Sequence, residues 1–298
     1  MTDSDSYELE ALKKRPFEIM EYAESILKLV REVDQRPIHV EVERIKSQYH
    51  IDHYYINKNG KHIGLVKIFQ GNYFYLGLED YIDENEYIPI LQLIENNVGG
   101  WRIDRIEATL HEQYREAAEE MGYFVDFSRI KMVLDLKDAK ALDTDFSSIE
   151  RTYARGDLTH LIDMASDAYR DSVDEQIGVF SGGMATSAIS SILKGSYGEF
   201  RADMTPIIVE EGTQYIEGAS MTTISEGEPF VVLIGVRRAE QGKGLGRKLL
   251  SWVIQKSIEN NYEKLRLWVT VGNEKAFDLY SSVGFKEVTR IHSLYRPL

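Results

Sequence analysis

Phe230-Val231-Val232-Leu233-Ile234-Gly235-Val236, then Gln241-Gly242-Lys243-Gly244-Leu245-Gly246, is the stretch that decides the fold. Beyond it, apolar residues recur at Leu245, Leu249, Leu250, Val253, Ile254 and Ile258, the period of an amphipathic helix. The reading is strand, glycine-rich turn, helix. Such a turn leaves N–H groups unpaired at a helix N-terminus, where the helix dipole favours an anion. Glycines let backbone approach that anion without an intervening Cβ. The residues therefore describe a phosphate or diphosphate cradle, with Arg237, Arg238, Lys243, Arg247 and Lys248 adding positive charge.

Two common cradles do not fit. A P-loop needs Lys-Ser/Thr directly after its last glycine, and Gly246 is followed by Arg247-Lys248. A dinucleotide fingerprint needs G-x-G-x-x-G near the start of a βαβ unit, whereas the spacing here is G-x-G-x-G. A second segment follows. Leu265 to Val271 alternates as a strand, then Asn273 stands as a helix N-cap, with Tyr280 seven residues on and Gly284-Phe285 as the stop. Gln-x-x-Gly-x-Gly followed by strand, Asn-x-x-Ala, Tyr and Gly-Phe resembles the GNAT family of acyl-CoA-dependent N-acetyltransferases.

The resemblance covers about residues 147–298 and implies a cofactor site and an activity. Acetyl-CoA would serve as co-substrate. Its diphosphate would lie on Gln241, Gly242, Lys243, Gly244, Leu245 and Gly246. Its pantetheine would pair with backbone at Ile234, Gly235 and Val236 and meet Asn273. Tyr280 would be the catalytic acid that protonates the departing thiolate. The implied enzyme is an acyltransferase for groups other than aminoacyl groups, moving acetyl to a small-molecule or peptide primary amine in a ternary complex. Many relatives carry a Glu in the strand before the turn. Here that strand has no carboxylate, which leaves Glu199, Glu217 and Glu228 as base candidates, or a water chain or an already neutral amine that needs no dedicated base. The same gap keeps open a non-catalytic acyl-CoA sensor or partner-binding protein. A longer acyl group or a non-amine acceptor also stays open.

The chain has 298 residues, enough for two domains. Two hairpin strands flank Lys58-Asn59-Gly60-Lys61; a strand at Tyr73–Leu78, a helix at Pro89–Val98, a strand from Ile103 to Leu110, a helix at Tyr114–Met121 and a strand at Arg129–Leu134 follow. That order returns after residue 205, and Met121-Gly122-Tyr123 echoes Val283-Gly284-Phe285. The expected fold is α/β: two tandem GNAT-like domains, each a mixed, centrally splayed sheet flanked by helices. A degenerate copy would span 1–138 and a catalytic one 147–298, joined through the polar stretch Asp135–Ser148. The first copy's turn reads Glu79-Asp80-Tyr81-Ile82-Asp83-Glu84-Asn85-Glu86, with five acids and no glycine, so it should repel a diphosphate. Three jobs are open to that copy: walling the cleft, binding substrate, or forming a homodimer. Residues 7–34 read as one helix, and 40–74 as short strands.

The net charge is −14, with −11 of it in residues 1–145. That balance disfavours nucleic acid. There is no apolar run long enough to cross a membrane, so no membrane partner is expected. Cysteine is absent, which excludes disulfides and thiolate metal sites and suits a reducing cytoplasm. His50-x-x-His53 lacks a third ligand, and no metal is expected. Ser181 lacks the G-x-S-x-G frame of a hydrolase.

Overall fold

The alternating segments become strands and the 3.6-period segments helices in the computed structural model, which describes residues 6–29, 37–48, 51–98, 104–140, 142, 145–149, 151–178 and 183–298. Two compact units emerge. The first comprises residues 1–128 with 289–298, and the second residues 129–288.

The first unit runs β1 (Tyr7–Ala11), α1 (Pro16–Leu29), α2 (Ile38–Ser47), β2 (Ile51–Lys58), β3 (Lys61–Phe69), β4 (Tyr73–Leu78), α3 (Tyr87–Glu95), β5 (Arg105–His111), α4 (Arg115–Glu120) and the start of β6 (Phe124–Asp135). Residues 7–34 are not one helix. Tyr7–Ala11 pairs antiparallel with β2, from Tyr7↔Lys58 to Ala11↔Tyr54. Pro16 opens α1, where its missing N–H costs nothing. Residues 38–47 are helix, not strand: Val42 and Ile45, three apart, both turn into the cluster built on Ile19, Tyr22 and Ile26. Packing outweighed the β-branched composition there.

His53 is the most unusual residue of this unit. It is buried, both ring nitrogens lack a partner, and Tyr22 meets it edge-on at 5.4 Å. Burial, then the charge of Lys67, push its pKa down to about 3. The unfolded chain takes up this proton near pH 6.5 and the folded chain does not. Stability from a neutral His53 is therefore complete above pH 6.5 and lost as pH falls towards 3. Below pH 6.5 the expected loss is about 1.4 kcal/mol per pH unit from this group. Denaturant melts from pH 7 to 5 should show a shallower loss in His53→Phe than in the wild type. Equal slopes would remove His53 from the account. His50 lies outside the described residues, and among the described residues no cluster of three metal-type ligands occurs.

The second unit takes the rest of β6, then β7 (Arg151–Thr152), α5 (Leu158–Tyr169), α6 (Val173–Gln176), α7 (Gly183–Leu193), β8 (Glu199–Phe200), β9 (Pro206–Val209), β10 (Ile216–Ser225), β11 (Glu228–Val236), α8 (Leu245–Glu259), β12 (Lys264–Thr270), α9 (Glu274–Val283) and the start of β13 (Lys286–Pro297). Its sheet order is β6-β12-β11-β10-β9-β7, with β8 on β10. One face packs α8 and α9 on Met132, Leu265, Leu267 and Val269. The other packs α5 and α7 on Ile207, Met221 and Leu233.

Each unit has one parallel pair that meets briefly and then ends. β4 and β5 pair at Tyr73↔Glu107 to Tyr75↔Thr109, and β11 and β12 at Phe230↔Arg266 and Val231↔Leu267. Both sheets are therefore mixed and splayed at the centre. The compact units part at 128/129 and 288/289, not within the polar stretch Asp135–Ser148. Residues 129–135 of β6 pair with β12, from Arg129↔Thr270 to Asp135↔Lys264. Residues 291–297 of β13 pair with β5. Each unit thus takes its last strand from the other half of the chain. Among the described residues no helix is long and apolar enough to cross a membrane.

Candidate active site

β11 ends by delivering Arg237 inward. Its Nε donates to the Ile216 carbonyl (2.6 Å), Nη2 pairs with Asp163 (2.6 Å), and the guanidinium lies 4.0 Å from the Tyr215 ring centroid. Arg237 is buried and anchors the strand end rather than adding charge to the cradle. Gln241 follows a 3-10 turn at Arg238–Glu240 and donates from Nε2 to the Val236 carbonyl (3.1 Å), which folds the turn back onto the strand. Gly242 and Gly244 have φ of +79° and +84°, the left-handed region that glycine enters without strain. A Cβ at either would meet nothing within 4 Å. The space in front of them is open, as a bound diphosphate requires. α8 starts at Leu245 with no side-chain cap, so its first-turn N–H groups have no internal partner. Arg238 and Arg247 line the space; Lys243 turns to Glu240 (2.7 Å) and Lys248 to Asp145 (3.3 Å).

The fork begins one step past Val231. Met221 faces Leu233 and Thr222 faces Val231, so Val232 is the extra residue of a bulge. The bulge turns β11 away from β12, and no further ladder joins them. Arg266 clamps the closed end: Nη1 pairs with Glu226 (3.1 Å), Nε with Glu228 (3.2 Å), and Nη2 donates to the Ser225 carbonyl. Between the parted strands and the glycine turn lies a cavity of about 950 Å³. It brings together Ile234, Gly235, Val236, Gln241, Gly242, Gly244, Leu245, Gly246, Asn273 and Tyr280. Of the residues given to coenzyme A or to acid catalysis from sequence, Lys243 alone does not line it. The Ile234 carbonyl accepts from Tyr169 Oη (3.1 Å).

α9 sets the other wall. Asn273 caps it, with Oδ1 accepting the Ala276 N–H (3.2 Å), while Nδ2 donates to Asp174 Oδ2 (3.0 Å). Thr270 Oγ1 donates to Asp174 Oδ1 (2.6 Å). Tyr280 lies two turns along, almost wholly buried, its ring 6.0 Å from Phe285. Burial, then the Asp174 carboxylate, raise its pKa above the ordinary phenol value; Arg129 opposes. The hydroxyl therefore keeps its proton at neutral pH and can act as an acid.

Glu199, Glu217 and Glu228 do not line the cavity. Glu228 is held by Arg266 at the closed end. Glu217 lies where β10 meets the strand end, its carbonyl accepting the Arg237 N–H (2.7 Å); burial, then Glu240 and Glu210, raise its pKa. Glu199 is exposed on β8, opposite Ile224. Asp171, Asp174, Glu240 and Glu274 do line the cavity, and of these Asp174, from the four-residue helix α6, is the one that also reaches the inside of the fork beside Tyr280. Ser-Val-Asp-Glu-Gln at 172–176 carries no motif, so the tertiary fold is what singles out Asp174 within its segment. Tyr169, Arg129 and Trp268 come to the site the same way. From sequence, substrate contacts are expected from Tyr169–Phe200, with its stretches 179–184 and 196–199; Tyr169 and Asp174 of that segment line the cavity, and residues 179–182 lie outside the described residues.

Residues 183–285 match the family model described as Acetyltransferase (GNAT) family. No curated protein matches the chain. Among solved structures, a GCN5-related N-acetyltransferase from Sphaerobacter thermophilus aligns with a TM-score of 0.64 at 15% identity, covering 100% of this chain and 96% of that one. A tandem GNAT protein from the clavulanic acid biosynthesis pathway aligns at 0.63 and 12%, covering 99% and 98%. A GNAT-family acetyltransferase from Colwellia psychrerythraea aligns at 0.61 and 12%, covering 98% and 99%. These identities speak to fold, and that fold extends over both units. The segment 183–285, which holds the glycine turn, β11, β12 and the capped α9, is thus a GNAT acetyltransferase domain by its family model, and the likeness of the whole chain to GNAT structures is one of fold.

Proposed function

We propose that the protein is an N-acetyltransferase that moves an acetyl group from acetyl-CoA to a primary amine by direct attack in a ternary complex. One observation carries the reading: a single cavity runs from an uncapped helix N-terminus with two left-handed glycines to a buried, protonated tyrosine. Acetyl-CoA supplies the activated thioester. The N–H groups from Gly242 to Gly246, with Arg238 and Arg247, hold the diphosphate. The edge of β11 at Ile234–Val236 that parts from β12 aligns the pantetheine, and Asn273, itself fixed by Asp174, meets it from α9. The Val232 bulge leaves backbone out of the ladder, which supplies a donor for the oxyanion. Overall an N–C bond replaces a C–S bond, and one proton passes from amine to sulfur. The attacking amine gives its proton to solvent water, Tyr280 Oη gives its own to the departing thiolate, and solvent returns one to the phenolate.

The first unit keeps the splay without the site. At its fork the Leu78 N–H donates to Tyr114 Oη (3.2 Å), and Tyr114 is buried against Tyr87. Glu79 pairs with Lys28 and Glu86 with Lys58, both at 2.7 Å, where the second unit has its glycine turn. We read it as a copy that lost coenzyme A binding, so calorimetric titration should give one acetyl-CoA per chain. Two sites per chain would overturn that reading. The decisive experiment on function is thiol release with an amine panel. Steady release identifies the transferase. Acetyl-CoA binding with no release from any amine identifies a sensor instead.

A further inference from the structure

Within the fork, a second hollow of about 80 Å³ opens beside the long cavity and shares Tyr169, Asp174 and Tyr280 with it. At roughly 30 Å³ per water, it holds a group the size of a carboxylate, not a ring system. Arg129 lines it from β6. Residues directly opposite on paired strands share a face, so Arg129 and Thr270 lie on the side of the sheet that also carries Trp268. The Arg129 guanidinium lies 5.9 Å from the Trp268 ring centroid. Among the described residues it makes no ion pair and no hydrogen bond, and its Nε is buried without a partner. A half-buried guanidinium of this kind is complete only with an anion, and its planar fork suits a carboxylate.

Asp174 faces the same hollow with its oxygens held by Thr270 and Asn273. The two opposite charges thus line one space without pairing to each other. A dicarboxylic acyl group would satisfy Arg129 and leave Asp174 facing another anion. A zwitterion satisfies both.

Building on the acetyltransferase reading, we propose that the acceptor is an amine that itself bears a carboxylate, an amino acid, with the carboxylate on Arg129 and the amino group towards Asp174. Arg129 then determines substrate class, and Asp174 positions the nucleophile.

The test uses full-length protein, acetyl-CoA, and the standard amino acids each paired with its carboxamide. Thiol release should favour a free acid over its amide by about 30-fold or more in kcat/KM, the loss expected when a charge pair is deprived of one partner. Arg129→Gln should remove that preference, Arg129→Lys should retain part of it, and acetyl-CoA should bind both variants as it binds the wild type, which reports that they fold. Release from amides as fast as from acids leaves the acetyltransferase in place and overturns the inference. A preference for succinyl-CoA over acetyl-CoA that disappears in Arg129→Gln moves the carboxylate to the donor and also overturns it. No release from any amine overturns the acetyltransferase reading and the inference with it.

Discussion

Gly244→Glu is expected to abolish measurable acetyl-CoA binding. Gly244 has a φ of +84° and faces open space at the start of α8. A glutamate there would project its carboxylate into the volume assigned to the diphosphate. Two such charges about 4 Å apart repel by about 4 kcal/mol in a partly solvated site, roughly a thousandfold in Kd. Left-handed strain adds about 1 kcal/mol. Gly244→Asn separates the contributions, because asparagine tolerates this conformation and carries no charge. Titration calorimetry should show weakened binding for Asn and none for Glu. Wild-type affinity in the glutamate variant would place the cofactor elsewhere.

The second large effect is on turnover. Tyr280→Phe removes one oxygen from a buried ring and leaves the packing against Phe285. Its kcat should fall by about a hundredfold, the usual contribution of a positioned acid. Acetyl-CoA Kd should stay within a few-fold, since the diphosphate is held a helix away. The pH profile offers a separate check. Burial and Asp174 raise the Tyr280 pKa, so the proton is present below the raised value and lost above it. Activity should therefore hold through pH 9 without a falling limb from this group. An unchanged kcat in the phenylalanine variant would take Tyr280 out of the mechanism.

Local chemistry explains why the glycine turn and the capped α9 were legible. Glycines at 242 and 244 are demanded by positive φ, and Asn273 and Gly284 by the two ends of α9. Such residues announce themselves because the backbone conformation they permit is local. The individual residues inside the fork were not legible for the converse reason. Asp174 sits in a four-residue helix, and its partners Thr270 and Asn273 lie about a hundred residues along the chain. Arg129 reads as one more charged residue in a strand until β6 is set beside β12. The basic residues show the same limit. Composition placed Arg237 around the cradle, but its neighbours Ile216 and Asp163 draw it inward.

By itself the chain determined a strand–turn–helix segment rich in glycine, a capped helix carrying Tyr280, the repeated order of elements and an acidic, glycine-free turn in the first copy. Each depends on conformational preference or charge within some ten residues. Only the tertiary structure decided that residues 7–11 pair as a strand, that each unit takes its last strand from the other half of the chain, and that Arg129 and Asp174 face one hollow. Strand pairing is set by which edges remain free once the sheets assemble, and an unpaired charge shows itself only when every neighbour is in place.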